Sequence, residues 1–326
     1  MIIFLIFLIS FLMLYYGGEL LVRSSISIAL KMRISSLVVG MTIVSFATSA
    51  PELFVSVQSS LKGVTDITFG NVIGSNISNI TLVLGLTAIV FKINISRETY
   101  LINYPIMFLI SLLLGLSLYL GDGLNRLNGS FFVLLLCFFS WFLILRSRKN
   151  NESIDLDYNE HEGMTLSRSI LYMIIAILLL AFGSDFLVDG IGRLSERFSI
   201  SERVISLSLV AIGTSVPELA TSLVAAFRRA PNLAIGNLIG SNIFNVLAVL
   251  GITSIITPIN LSYDKSVNLS NGSLFLDHPL YLDYIWMIGS SMVLGFFIYI
   301  FSKSVLNRIE GIFLFATYIL FLVALL

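Results

Sequence analysis

The chain has 326 residues, 57% of them hydrophobic and only 12% charged, with a formal net charge of zero and a mean hydropathy of +0.97. These values exclude an ordinary soluble domain and a nucleic-acid-binding surface, and they describe a polytopic membrane protein. Cys137 is the single cysteine, which excludes an internal disulfide and argues against a thiolate metal centre.

A helix needs roughly 20 apolar residues to cross a bilayer. Spans are therefore expected near 2–22, 36–60, 69–91, 100–120 and 129–146, then near 168–191, 202–227, 233–257, 281–302 and 309–326. The first residues lack the basic region and small-residue cleavage site of a signal peptide, so they read as an uncleaved first span. Residues 147–166 form a polar hinge between the halves 1–146 and 167–326, and the Asn- and Ser-rich stretch 259–280 is the longest other loop. The hinge acids Glu152, Asp155, Asp157, Glu160 and Glu162 read as a solvated cytoplasmic linker.

The two halves repeat. Ser45-Phe46-Ala47-Thr48-Ser49-Ala50-Pro51-Glu52 returns as Ala211-Ile212-Gly213-Thr214-Ser215-Val216-Pro217-Glu218. The phrase Gly70-Asn71-Val72-Ile73-Gly74-Ser75-Asn76-Ile77-Ser78-Asn79 returns as Gly236-Asn237-Leu238-Ile239-Gly240-Ser241-Asn242-Ile243-Phe244-Asn245, with the same offset as Glu52 to Glu218. Glu19 and Asp185 match at that offset too, near the inner end of the first span and the outer end of the sixth, where a structural or gating-helix role suits them. Five spans per half is an odd number, so the second copy enters the membrane upside down, and paired functional elements fall near the midplane. The expected fold is thus all-α, with ten transmembrane helices as two inverted five-helix repeats, broken at the midplane. With both termini outside, the inner loops hold thirteen Lys and Arg against six in the outer loops, which fits the positive-inside rule.

The chemistry lies in the repeated phrases. A carboxylate at the centre of a membrane helix costs about 2.5–3.5 kcal/mol on insertion scales. Glu52 and Glu218 at equivalent depths therefore call for a cation. Pro51 and Pro217 lack an amide hydrogen, so the helices are expected to kink or unwind across Ser45–Thr48 and Ala211–Thr214 and to free carbonyls near Thr48 and Thr214. Carboxylates, carbonyls and hydroxyls make an all-oxygen environment suited to Na⁺ or Ca²⁺. Soft ligands are missing from it, since His161 and His278 fall in loops. Ser75 and Asn79 share one helix face, as do Ser241 and Asn245.

Thr48-Ser49-Ala50-Pro51-Glu52 with Gly70-Asn71-Val72-Ile73-Gly74-Ser75-Asn76, and their second copies, resemble the two α-repeats of the Ca²⁺/cation antiporter superfamily. The likeness is greatest to the prokaryotic sodium/calcium exchangers, and it covers the whole chain in span count and layout, with α-repeats near 36–91 and 202–257. The resemblance implies four cation sites in a diamond between the second, third, seventh and eighth spans. It makes Glu52 and Glu218 shared ligands of Ca²⁺, completed by the carbonyls of Thr48 and Thr214. It gives an outer Na⁺ site to Ser75, Ser215, Thr214 and the Ala211 carbonyl, and an inner one to Ser49, Ser241, Thr48 and the Ser45 carbonyl. Asn79 and Asn245 would line the middle. Asn245 stands where many relatives, especially potassium-dependent exchangers, carry Asp, which argues against K⁺ co-transport.

The expected activity is electrogenic Na⁺/Ca²⁺ antiport by alternating access across the cell membrane, with the first and sixth spans sliding on the rest. The expected partners are Na⁺, Ca²⁺ and the lipid bilayer, with no cofactor, no enzymatic activity and no obligatory protein partner. A proton/calcium exchanger is the alternative within transport. Relatives of that kind carry their glutamate in a Gly-Asn-Ala-x-Glu phrase, whereas both Gly-Asn phrases here run into Ile-Gly-Ser. A passive cation channel would use similar oxygens, but channels usually line their pore by oligomeric symmetry, and this chain duplicates its ligands internally.

Overall fold

Apolar runs punctuated by Ser, Gly and Pro become long helices. The structure, a computed structural model, describes residues 2–121, 123–149, 164–197, 202–261, 280–301 and 305–325. The helices are α1 (Ile2–Met32), α2 (Ser36–Thr48), α3 (Ala50–Leu61), α4 (Thr65–Val90), α5 (Thr99–Leu120), α6 (Arg126–Lys149), α7 (Leu166–Arg197), α8 (Glu202–Phe227), α9 (Pro231–Ile256), α10 (Leu280–Phe301) and α11 (Arg308–Leu325). Among the described residues seven of these are long and apolar enough to cross a membrane, and the bent pair α2–α3 makes an eighth. The hinge acids, His161 and His278 lie outside the described residues.

Helix α1 runs to Met32 instead of ending near 22, because Ser24, Ser25, Ile26, Ser27, Ile28 and Ala29 remain packed against the bundle. Its end is a left-handed turn at Arg33, φ 54°, and Ser35 caps the next helix by accepting from the Val38 amide at 3.3 Å.

The duplication seen in the sequence is repeated in the backbone. Within α4 and α9 the segments Thr65–Ser78 and Pro231–Phe244 are followed by wide π-helical turns, Asn79–Leu84 and Asn245–Leu250, and these bounds match at the repeat offset. Two-residue strands recur likewise: β1 (Ile93–Asn94) pairs antiparallel with β4 (Val305–Leu306), and β2 (Gly123–Leu124) pairs with β3 (Ile259–Asn260). Each pairing joins one half to the other. The side-chain contacts exchange in the same way, since Tyr104 donates to the Ser291 carbonyl at 2.8 Å and Tyr284 donates to the Ser111 carbonyl at 3.2 Å.

Helices α4 and α9 form the centre: 83% of the most apolar stretch of each is buried, against 22% for α6 and 28% for α7. Close approach there depends on paired glycines. A Cβ on Gly129 would lie 2.6 Å from the Gly251 carbonyl oxygen, and one on Gly311 would lie 2.8 Å from that of Gly85. Large apolar side chains of α1, α6 and α7, among them Phe4, Trp141 and Phe182, face outward as lipid-facing residues do.

Candidate cation site

The two prolines act differently. Between α2 and α3 the chain turns at Ser49 and the helix axis bends by 43°. The break expected at Pro217 is not there, and α8 continues through it as one helix. The reason is a single hydroxyl. Pro217 leaves the Gly213 carbonyl without its helical donor, and buried Ser184 of α7 donates to that carbonyl instead. The equivalent of Ser184 in the first half is Gly18, which has no hydroxyl to offer Ala47. At the bend the Ser45 carbonyl accepts the Ser49 amide at 2.9 Å and lies 3.5 Å from the Thr48 hydroxyl.

Helices α2, α3, α4, α8 and α9 bring the repeated residues together. Glu52 and Glu218 are both fully buried and close enough to act on each other electrostatically. Two hydroxyl pairs join the halves reciprocally. Ser75 meets Thr214 at 3.1 Å, and Thr48 meets Ser241 at 3.3 Å. Thr48 also donates to the Asn237 amide oxygen at 3.1 Å and lies against Glu218 without completing a hydrogen bond to it. Asn71 supports the other carboxylate's helix by donating to the Glu52 carbonyl at 3.1 Å and the Ser56 hydroxyl at 3.0 Å.

What is left over is informative. The hydroxyls of Ser49 and Ser215, both carboxylate oxygens of Glu52 and of Glu218, and the amide oxygens of Asn79 and Asn245 are all buried without a hydrogen-bond partner. Such groups cost on the order of 1–3 kcal/mol each when unsatisfied, more when charged. Every atom in this set is an oxygen with a counterpart at the repeat offset, while other buried polar atoms without partners, the Asn237 amide nitrogen among them, lack that symmetry. An oxygen cage of this kind suits a hard cation. Among the described residues no group of three or more His, Cys, Asp or Glu is placed to hold a metal ion.

Ser45 is buried and its hydroxyl donates to the carbonyls of Gly40 at 2.7 Å and Asn237 at 3.0 Å. The side chain of Ala211 lies outside the described residues, and its backbone belongs to α8. Thr214 is only half-buried. It lines a cavity of about 680 Å³ with Pro51 and Phe54 of α3 and Ser184, Asp185 and Asp189 of α7. Glu19, by contrast, is engaged: Arg23 and Arg228 both donate to its carboxylate, the second through two nitrogens.

Sequence reasoning gave no role to Asn76 and Asn242, although both lie inside the repeated phrase. Asn79 donates to the Asn242 amide oxygen at 3.1 Å, and Asn245 donates to that of Asn76 at 3.1 Å. The exact repetition of Asn three residues before Asn79 and before Asn245 was the available signal.

A membrane bundle of duplicated helices around a buried oxygen cage is the build of a cation transporter. The family model described as sodium/calcium exchanger protein matches residues 2–145 and 168–326, and the chain belongs to that family, within the Ca²⁺/cation antiporter superfamily. It is 36% identical to a putative antiporter, CaxA, of Alkalimonas amylolytica, over 77% of this chain and 80% of that one. It is 28% identical to a sodium/calcium exchanger of Methanosarcina acetivorans over 99% of this chain and 98% of the relative. Among solved structures it resembles the sodium-calcium exchanger NCX_Mj soaked without Na⁺ and Ca²⁺, with TM-score 0.78, 28% identity and 98% of each chain covered. It is therefore a multi-pass membrane antiporter for Ca²⁺ and other cations, from a family of transporters and not of enzymes.

Proposed function

We propose that the chain exchanges Na⁺ for Ca²⁺, electrogenically and by alternating access, with Glu52 and Glu218 serving both ions in turn. The observation that carries this reading is the symmetric set of buried oxygens without partners, contributed by Ser49, Glu52, Asn79, Ser215, Glu218 and Asn245. Two ionised carboxylates in a dry site strongly resist being left empty. One Ca²⁺ neutralises them, and so do Na⁺ ions distributed over the flanking hydroxyls, so the two loads exclude one another. The Ser75–Thr214 and Thr48–Ser241 pairs supply the hydroxyl oxygens for Na⁺ on either side, together with the Ala211 and Ser45 carbonyls. Carbonyls of Thr48 and Thr214 complete the Ca²⁺ shell. An uncompensated pair of acids opposes rearrangement, and this couples the two fluxes.

The proposal includes ten spans in two inverted repeats, the bent pair counting as one, with both termini outside and the 147–166 hinge in the cytoplasm. The matched element bounds and the reciprocal strand pairs support the repeat, and the distribution of Lys and Arg supports the orientation. The test is ⁴⁵Ca²⁺ uptake into vesicles of purified protein under separately imposed Na⁺, K⁺ and H⁺ gradients. Uptake driven by an outward Na⁺ gradient and altered by membrane potential is the expected result. Uptake driven by H⁺ alone would overturn the Na⁺ assignment.

A further inference from the structure

We infer that Asn76 and Asn242 are positioning residues that aim the amide oxygens of Asn79 and Asn245 at the cation. An amide has one acceptor end and one donor end. The donor end of Asn79 is committed to the Asn242 amide oxygen, and that of Asn245 to the Asn76 amide oxygen. The acceptor ends of Asn79 and Asn245 are the ones left buried and unpartnered. Asn76 and Asn242 are fixed in turn, Asn76 by donating to the Asn242 carbonyl at 3.2 Å and to the Met287 sulfur at 3.7 Å, and Asn242 by donating to the Met107 sulfur at 3.6 Å. Partners one shell out from a metal ligand set its orientation, and their removal costs about 10–100-fold in affinity. This inference rests on the cation reading of the site. Its test is equilibrium ⁴⁵Ca²⁺ binding to purified Asn242→Ala, Asn79→Ala and the double variant. The expected result is about tenfold weaker binding in each single variant and no further loss in the double. Multiplying losses, or undiminished binding in Asn242→Ala, would overturn it. The mirror cycle with Asn76→Ala and Asn245→Ala supplies a second set should the first fail to fold. Absence of Ca²⁺ binding by the parent would strike the cation reading itself.

A separate observation carries a second inference. Glu19 of α1 is ion-paired with Arg228 beyond the end of α8. At the repeat offset the equivalent residues are Asp185 of α7 and Lys62 beyond the end of α3, and both are exposed with no ion pair between them. We propose that these are two halves of an alternating latch: Glu19–Arg228 holds the inner face closed while Asp185–Lys62 is open, and the reverse pairing holds the outer face closed. The latch rests on the inverted-repeat transport reading. Cys137 is the single cysteine, so Cys137→Ser gives a thiol-free parent for cross-linking Glu19→Cys with Arg228→Cys, and Asp185→Cys with Lys62→Cys, in vesicles. As Na⁺ is replaced by Ca²⁺, the two yields are expected to change in opposite directions. Yields that move together, or an Asp185–Lys62 pair that never cross-links in a parent that still exchanges, would overturn the latch. A parent without exchange would strike the transport reading, and the latch with it.

Discussion

The Ser184 hydroxyl donates to the Gly213 carbonyl, the carbonyl that Pro217 leaves without a helical donor. One side chain on α7 thus keeps α8 continuous where its counterpart breaks at Ser49. Ser184→Ala is expected to lower stability by about 1–3 kcal/mol, read as a fall in the thermal midpoint in detergent, while Ser184→Thr keeps the hydroxyl and most of the stability. An unchanged midpoint in Ser184→Ala would mean that the carbonyl finds another donor.

Glu52→Gln and Glu218→Gln are each expected to abolish Na⁺-driven ⁴⁵Ca²⁺ uptake. Each also removes one of two buried like charges, so the ion-free protein should melt no lower than the parent and should lose its stabilisation by added Ca²⁺. Near-normal uptake would refute the shared-ligand role.

Asn245→Asp replaces the amide donor facing the Asn76 oxygen, now 3.1 Å away, with a second acceptor, and it adds a third acid to the centre. Exchange should persist but acquire a dependence on pH or K⁺ that the parent lacks. Identical profiles across both would count against a central place for residue 245.

Arg229 adopts a left-handed backbone, φ 56°, at the position where the first half carries Gly63, φ 77°. A non-glycine residue there costs roughly 1–2 kcal/mol, partly offset by the chain freedom that glycine adds to the unfolded state. Arg229→Gly should therefore raise the thermal midpoint slightly without altering exchange, and a lower midpoint would contradict the strain.

The repeat was legible from two short phrases because membrane depth forces functional polar groups into fixed register, and the matched turns at Asn79 and Asn245 follow that register. The oxygen-rich composition of the repeated phrases was legible for the same reason. The continuity of α8 was not, since nothing in Pro217 announces that Ser184 stands opposite it. Nor was the pairing of Glu19 with Arg228, or the orientation of Asn79 by Asn242, because each joins residues far apart in the chain that obey no helical period. The length of α1 was misjudged because its serine-rich end is buried by neighbours rather than by its own apolarity.

Competition between the two cations for Glu52 and Glu218 is tested most directly by ⁴⁵Ca²⁺ binding to the purified protein at increasing Na⁺. Saturable Ca²⁺ binding that Na⁺ displaces, and that vanishes in both Glu52→Gln and Glu218→Gln, is the predicted result. Ca²⁺ binding indifferent to Na⁺, or retained when either glutamate is neutralised, would contradict it.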